Sequence, residues 1–169
     1  MSRTIGKKTS RMSPVYTVTA NGYRDQLDRT RRFLERVEAL VPRSDVYYQD
    51  DVWAFFQSCW NLRDWIQNEL RISDAVKKQV RDAVECARCL KICYDLANGT
   101  KHYALTSPKL GARHLLTDTR ITPGEETRVD CVIELPDGSR LSARELAREC
   151  MLEWERILQF CKLPIERIS

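Results

Sequence analysis

No stretch of the chain is apolar for long. The roughly 20 consecutive apolar residues needed to cross a bilayer are absent, so no transmembrane span is expected. Met1 to Ser13 is basic and polar and lacks the apolar segment of a secretory leader, which makes the cytoplasm the expected compartment and excludes a membrane role. Glycine and proline number only six each, and the glycines are scattered, with no Walker-type or dinucleotide-binding loop. No Gly-x-Ser-x-Gly elbow or kinase motif occurs. Histidine is scarcer still: His102 and His114 are the only two, and neither has the paired spacing of a zinc motif. No cofactor and no metal are expected.

Cysteine, by contrast, is plentiful. Seven is an odd number, and with no sign of export the thiols are expected to be reduced. Cys86, Cys89 and Cys93 follow i, i+3, i+7 spacing, which predicts one helical face, and free cysteine packs as a small hydrophobe. The expectation is core.

Length and composition fit one domain. The 169 residues, 43% hydrophobic and 31% charged, suffice for a real core. The net charge of +4 is uneven: Arg3, Lys7, Lys8 and Arg11 account for all of it, and no acid precedes Asp25. Residues 1–22 therefore read as a flexible basic arm, and 23–169 as a single helical-bundle domain.

Four helices are expected. From Tyr23, Leu27, Leu34, Val37 and Val41 keep a helical period that Pro42 ends, with Arg29, Arg31, Arg32, Glu35 and Glu38 on a solvated face. Asp50 or Asp51 is placed to cap a second helix whose inward stripe is Val52, Phe55, Phe56, Cys59, Leu62 and Ile66. Trp53 and Trp60 make its first half apolar nearly all round, which suits a bundle centre or a homodimer seam. Asn61, Arg63 and Asp64 interrupt that surface, and Arg63 is expected to pair with an acid on a neighbouring helix. Ser73 and Asp74 start a third helix expected to run at least to Ala97, with Asn98-Gly99 either a C-cap turn or a weak point inside a longer helix. Residues 113–121 and 127–135 alternate and are rich in β-branched types, with turns at Pro123-Gly124 and Pro136–Ser139. This predicts a β insertion at about 113–141, a small antiparallel hairpin or sheet. Ser142-Ala143-Arg144-Glu145 is a capping box opening a final helix with Leu146, Cys150, Met151, Trp154, Leu158 and Cys161 inward and Pro164 beyond it. The fold class is mainly α with a minor β part, or α+β.

The polar cluster Asp95, Asn98, Thr100, Lys101 and His102 holds a group that titrates near neutrality, His102. A helical bundle whose third helix runs into Asn-x-x-x-His resembles the HEPN superfamily of small helical prokaryotic domains found in toxin–antitoxin, phage-defence and RNA-processing systems. The resemblance implies a metal-independent ribonuclease site, shared across a homodimer, in a defence or stress setting, with RNA as partner. Asn98 would hold the polar position and His102 the histidine, while Ala97 stands where the family has arginine. His102 would then act as acid or base, contributing about 10²–10⁴-fold, and Asn98 would orient the phosphate. The cation for the developing charge would come from Lys101, Arg63 or a second subunit, lysine lacking arginine's bidentate fork. The sequence thus leaves enzyme and non-enzyme open. One reading is a HEPN-like RNA-associated protein, with or without catalysis. The other is a non-enzymatic helical module with a protein partner, in which Asn98–His102 is a structural corner.

Overall fold

The long second helix is the centre of the molecule because nearly every face of it is apolar. The computed structural model describes residues 21–39, 45–99, 108–109, 113–120 and 128–166. These form α1 (Tyr23–Glu38), α2 (Asp45–Asn68), α3 (Asp74–Cys86), α4 (Arg88–Gly99), β1 (Arg113–Arg120), β2 (Arg128–Glu134), β3 (Arg140–Ser142) and α5 (Ala143–Phe160). α2 touches all four other helices as well as β1 and β2. Its Val52, Phe55, Phe56, Cys59, Leu62 and Ile66 are wholly buried, and each side chain the size of leucine or phenylalanine contributes roughly 1.5–3 kcal/mol on burial. The all-round apolar surface is used within one chain and does not by itself call for a second copy.

α1 lies along α2 in a register fixed by buried polar groups. The Gln26 side-chain amide donates to the Ser58 carbonyl at 2.7 Å and to Ser58 Oγ at 3.0 Å, and Thr30 Oγ1 shares a 3.0 Å hydrogen bond with the same hydroxyl. Sliding α1 by one turn would orphan these groups, a cost of about 1–3 kcal/mol for each donor or acceptor left unmade. Gly22 leads into α1 at φ 61, and a Cβ there would run into the Glu69 carboxylate at the end of α2. Asn21 donates to the Asp25 carboxylate from its backbone and side chain, both at 3.2 Å. Residues 1–20, which include most of the expected basic arm, and Pro42 lie outside the described residues.

Two helix boundaries differ from the sequence expectation. α2 begins at Asp45, so Asp50 and Asp51 are interior, and Asp51 faces Arg36 of α1 at 3.8 Å instead of capping. No breaker separates Asp45 from Asp51, so nothing stops the helix extending backwards. The expected third helix is two helices. Ser73 caps α3, accepting from the Val76 amide at 3.4 Å. At Ala87 the backbone becomes extended, φ −77 and ψ 115; its N–H is shared by the Ala83 and Val84 carbonyls, and its own carbonyl accepts from Lys91 to start α4. Cys86 is consequently exposed, while Cys89 and Cys93 are buried. The three do not share one face.

The β part is a three-stranded antiparallel meander, β1-β2-β3, as the two turn signals predict. The turn into β3 closes with Gly138 at φ 78, and Asp137 accepts from the Ser139 amide at 2.9 Å and its hydroxyl at 2.6 Å. Cys131, Ile133 and Leu135 of this segment are buried in the helical core. The expected cap of α5 is present: Ser142 Oγ accepts from the Glu145 amide at 3.2 Å and donates to Asp130 Oδ2 at 2.6 Å. All six expected inward residues of α5, Leu146 to Cys161, are buried. α5 then meets α1, where Arg31 bridges Asp28 at 3.2 Å and Glu155 at 2.9 Å. The Tyr23 hydroxyl donates to the Pro164 carbonyl at 2.9 Å. No helix among the described residues is long and apolar enough to cross a membrane.

Candidate functional site

The end of α4 is built around an aromatic pair. Trp60 of α2 and Tyr94 of α4 meet edge to face, with ring centroids 4.9 Å apart. Arg63, one helical step from Trp60, lies over its ring at 5.4 Å and pairs with Asp64 at 3.3 Å, on its own helix and not on a neighbouring one. Lys109 reaches the same pair from the other direction, 5.5 Å from the Trp60 centroid and 5.1 Å from that of Tyr94. Its ammonium is clasped by the Glu85 carboxylate, and its backbone N–H donates to Asp95 Oδ1 at 2.7 Å. Asp95 is buried.

Asn98 is one turn beyond Tyr94, and its side-chain amide donates to the Tyr94 carbonyl at 2.8 Å. Ala97, where the HEPN-type arginine would stand, is 1% exposed and packs in the core. An arginine there would need a cavity or a buried counter-ion, and the alanine position offers no route to solvent. Lys101 and His102 lie outside the described residues, as does the side chain of His114 in β1. The structure therefore brings Arg63 to the aromatic pair, while Asn98 reaches only the Tyr94 backbone carbonyl. Asp95 already stood with Asn98 in the polar cluster of the sequence, but nothing there singled out Lys109 as belonging with them. Lys109 could have been found only through the contact with Asp95, which spans 14 positions.

Among the described residues, Arg63 is paired with Asp64 and the Lys109 ammonium with Glu85, while Asp95 accepts from the Lys109 backbone. A phosphate placed here would compete with carboxylates already holding both cations. The Asn98 amide is likewise engaged with its own helix, as a structural corner requires.

A second surface has the opposite balance. Arg29, Arg32 and Arg36 are exposed and follow i, i+3, i+7 on α1, so they form one stripe. Arg29 lies over the Trp65 ring of α2 at 5.7 Å and Arg36 over Phe33 at 5.3 Å. Both rings are partly exposed; Asp51 lies at the long distance of 3.8 Å from Arg36, and Arg29 donates to Gln26 Oε1 at 3.0 Å. Guanidinium planes alternating with accessible rings provide phosphate contacts and stacking surfaces together. Arg29 and Arg32 of this stripe were read from the sequence as part of an ordinary solvated face, with Arg36 not singled out, because Trp65 reaches it from another helix.

Compared with known proteins, the chain matches no family model, no curated protein and no solved structure.

Proposed function

We propose that this protein is a HEPN-like, RNA-associated helical domain that binds single-stranded RNA along α1 and does not cleave it. The observation that carries the reading is the pair of arginine-over-ring contacts, Arg29 on Trp65 and Arg36 on Phe33, on one exposed stripe. Arginine supplies bidentate phosphate contacts, and the rings supply stacking that is tolerant of base sequence. In sequence, the basic residues Arg3, Lys7, Lys8 and Arg11 precede this stripe and add non-specific attraction. The absence of cleavage is supported by the buried Ala97, the engaged Asn98 amide and the neutralised Arg63 and Lys109.

The test is fluorescence anisotropy with a labelled single-stranded RNA over a range of salt, with the Arg29→Ala/Arg32→Ala/Arg36→Ala variant as comparator. Weaker binding with a shallower salt dependence is expected for the variant. Equal affinity for both proteins would overturn the reading.

A second reading, a protein-interaction module, is favoured by α5. Leu152 and Phe160 are 62% and 71% exposed on its outer side. Such residues are common singly on surfaces, so the arginine–aromatic stripe ranks first.

A further inference from the structure

Deep in the bundle, Cys59 of α2, Cys93 of α4 and Cys150 of α5 converge. Their sulfurs all lie within 4.8 Å of one another, and all three residues are wholly buried. The Cys93 thiol donates to the Phe56 carbonyl and the Cys150 thiol to the Cys89 carbonyl, each at 3.4 Å. Cys59 sits between them. The Trp154 indole N–H, on a residue with no exposure, has no hydrogen-bond partner of normal geometry. It nevertheless lies beside the Cys59 thiol. A buried donor left unsatisfied is costly, and a sulfur anion is the acceptor to hand.

We propose that Cys59, Cys93 and Cys150 form a buried thiolate site for a d10 metal ion of the Zn²⁺ class, with Cys89 beside them as the fourth sulfur. Zinc is held at about 2.3 Å by thiolate sulfur in closed tetrahedral shells, which requires sulfurs roughly 4 Å apart. With all three sulfurs within 4.8 Å, the trio meets that requirement after shifts of up to about 1 Å. Cys89, one turn before Cys93 and also buried, lies outside this group of sulfurs and completes the shell by turning its side chain inward. Soft thiolates select this class of ion over magnesium or calcium.

Binding of the ion displaces the thiol protons to solvent, and no electron is transferred. With no open coordination position the site is structural: it ties α2, α4 and α5 at one point.

The test uses the full, untagged chain, reduced and stripped with a chelator, then mixed with Zn²⁺, Co²⁺ or Cd²⁺. Equimolar metal should survive gel filtration, and the Co²⁺ and Cd²⁺ forms should show thiolate-to-metal charge-transfer absorption. Cys59→Ser should lose both, whereas Cys86→Ser and Cys161→Ser should keep both. Should Cys59→Ser fail to fold, cadmium NMR of the wild type gives the sulfur ligand count directly. A folded wild type that retains far less than equimolar metal, or a folded Cys59→Ser that binds like wild type, would overturn the proposal. A cadmium resonance typical of oxygen ligands would overturn it equally.

Discussion

The Asp95 carboxylate and the Lys109 backbone amide, 14 positions apart, meet at 2.7 Å. Asp95 is buried in α4 and Lys109 follows Pro108, so this contact returns the chain to the helix it left at Gly99. A charge-assisted hydrogen bond thus holds Lys109 against α4. Asp95→Ala should cost about 1–3 kcal/mol of unfolding free energy in urea, because it orphans a part-buried amide. Asp95→Asn keeps an oxygen acceptor and should cost less. An alanine variant as stable as wild type would show that the contact contributes nothing.

RNA affinity should fall with salt in proportion to the phosphates engaged. For single strands the slope of log affinity against log salt is about −0.7 per contact. Replacing Arg29, Arg32 and Arg36 together should therefore flatten the slope by roughly 2. An Arg-to-Lys triple variant should retain most of the slope but lose affinity, since lysine stacks poorly on Trp65 and Phe33. A slope unchanged in the alanine variant would move the binding site elsewhere.

In a metal-free cleavage assay, wild type and His102→Ala should be indistinguishable, and both at background. Cleavage by the wild type that disappears in His102→Ala would restore the catalytic reading of the HEPN resemblance. It would also require a cation other than Arg63 or Lys109, each of which is held by a carboxylate.

Ser142 and Asp130 should be coupled. Ser142 Oγ both caps α5 and donates to Asp130 Oδ2, while Asp130 Oδ1 accepts from the Cys131 amide at 2.8 Å. Ser142→Ala should cost more than the ~1 kcal/mol of an ordinary N-cap, since a carboxylate oxygen loses its donor. A double-mutant cycle with Asp130→Ala should give an interaction energy of at least about 0.5 kcal/mol. Strict additivity would refute the link between sheet and cap.

Alkaline pH should destabilise the fold through two tyrosines. Burial raises Tyr23 and Tyr48 to about 12, against opposing effects of Arg24 and Arg144. The unfolded phenols titrate near 10, so the folded chain keeps protons that the unfolded chain releases. Their contribution is whole below about pH 10 and is lost as pH climbs from about 10 to 12. Tyr23→Phe and Tyr48→Phe should flatten the stability profile in that window, as measured by denaturant titration. An unchanged profile would mean that both phenols ionise freely in the folded protein.

Much of the fold is legible in the sequence because it depends on local chemistry. Ser73 and Ser142 announce α3 and α5 by capping, and the turn at Pro136–Ser139 announces β3. The break at Ala87 carries no such signal. Alanine is the best helix former, and only the packing of α3 and α4 against different parts of the core turns the chain there. The thiol cluster was hidden for a related reason. Each of Cys59, Cys93 and Cys150 falls on the inward face of its helix, but helical phase does not say which inward residues meet. Cys86, which fits the i, i+3 spacing with Cys89, was separated from it by the Ala87 break. The arginine–aromatic stripe was half legible: α1 shows its arginines, while Trp65 comes from α2.

The contacts between α1 and the segment after α5 bear on synthesis. Tyr23 reaches Pro164 across 141 positions and Arg31 reaches Glu155 across 124. At translation rates of about 5–20 residues per second, α1 waits roughly 6 s or more for these partners to be made. During that interval α2 has emerged without α5, and the side of it that carries Cys59 is uncovered. A nascent chain is therefore more vulnerable to oxidants and to chaperone capture until α5 leaves the ribosome.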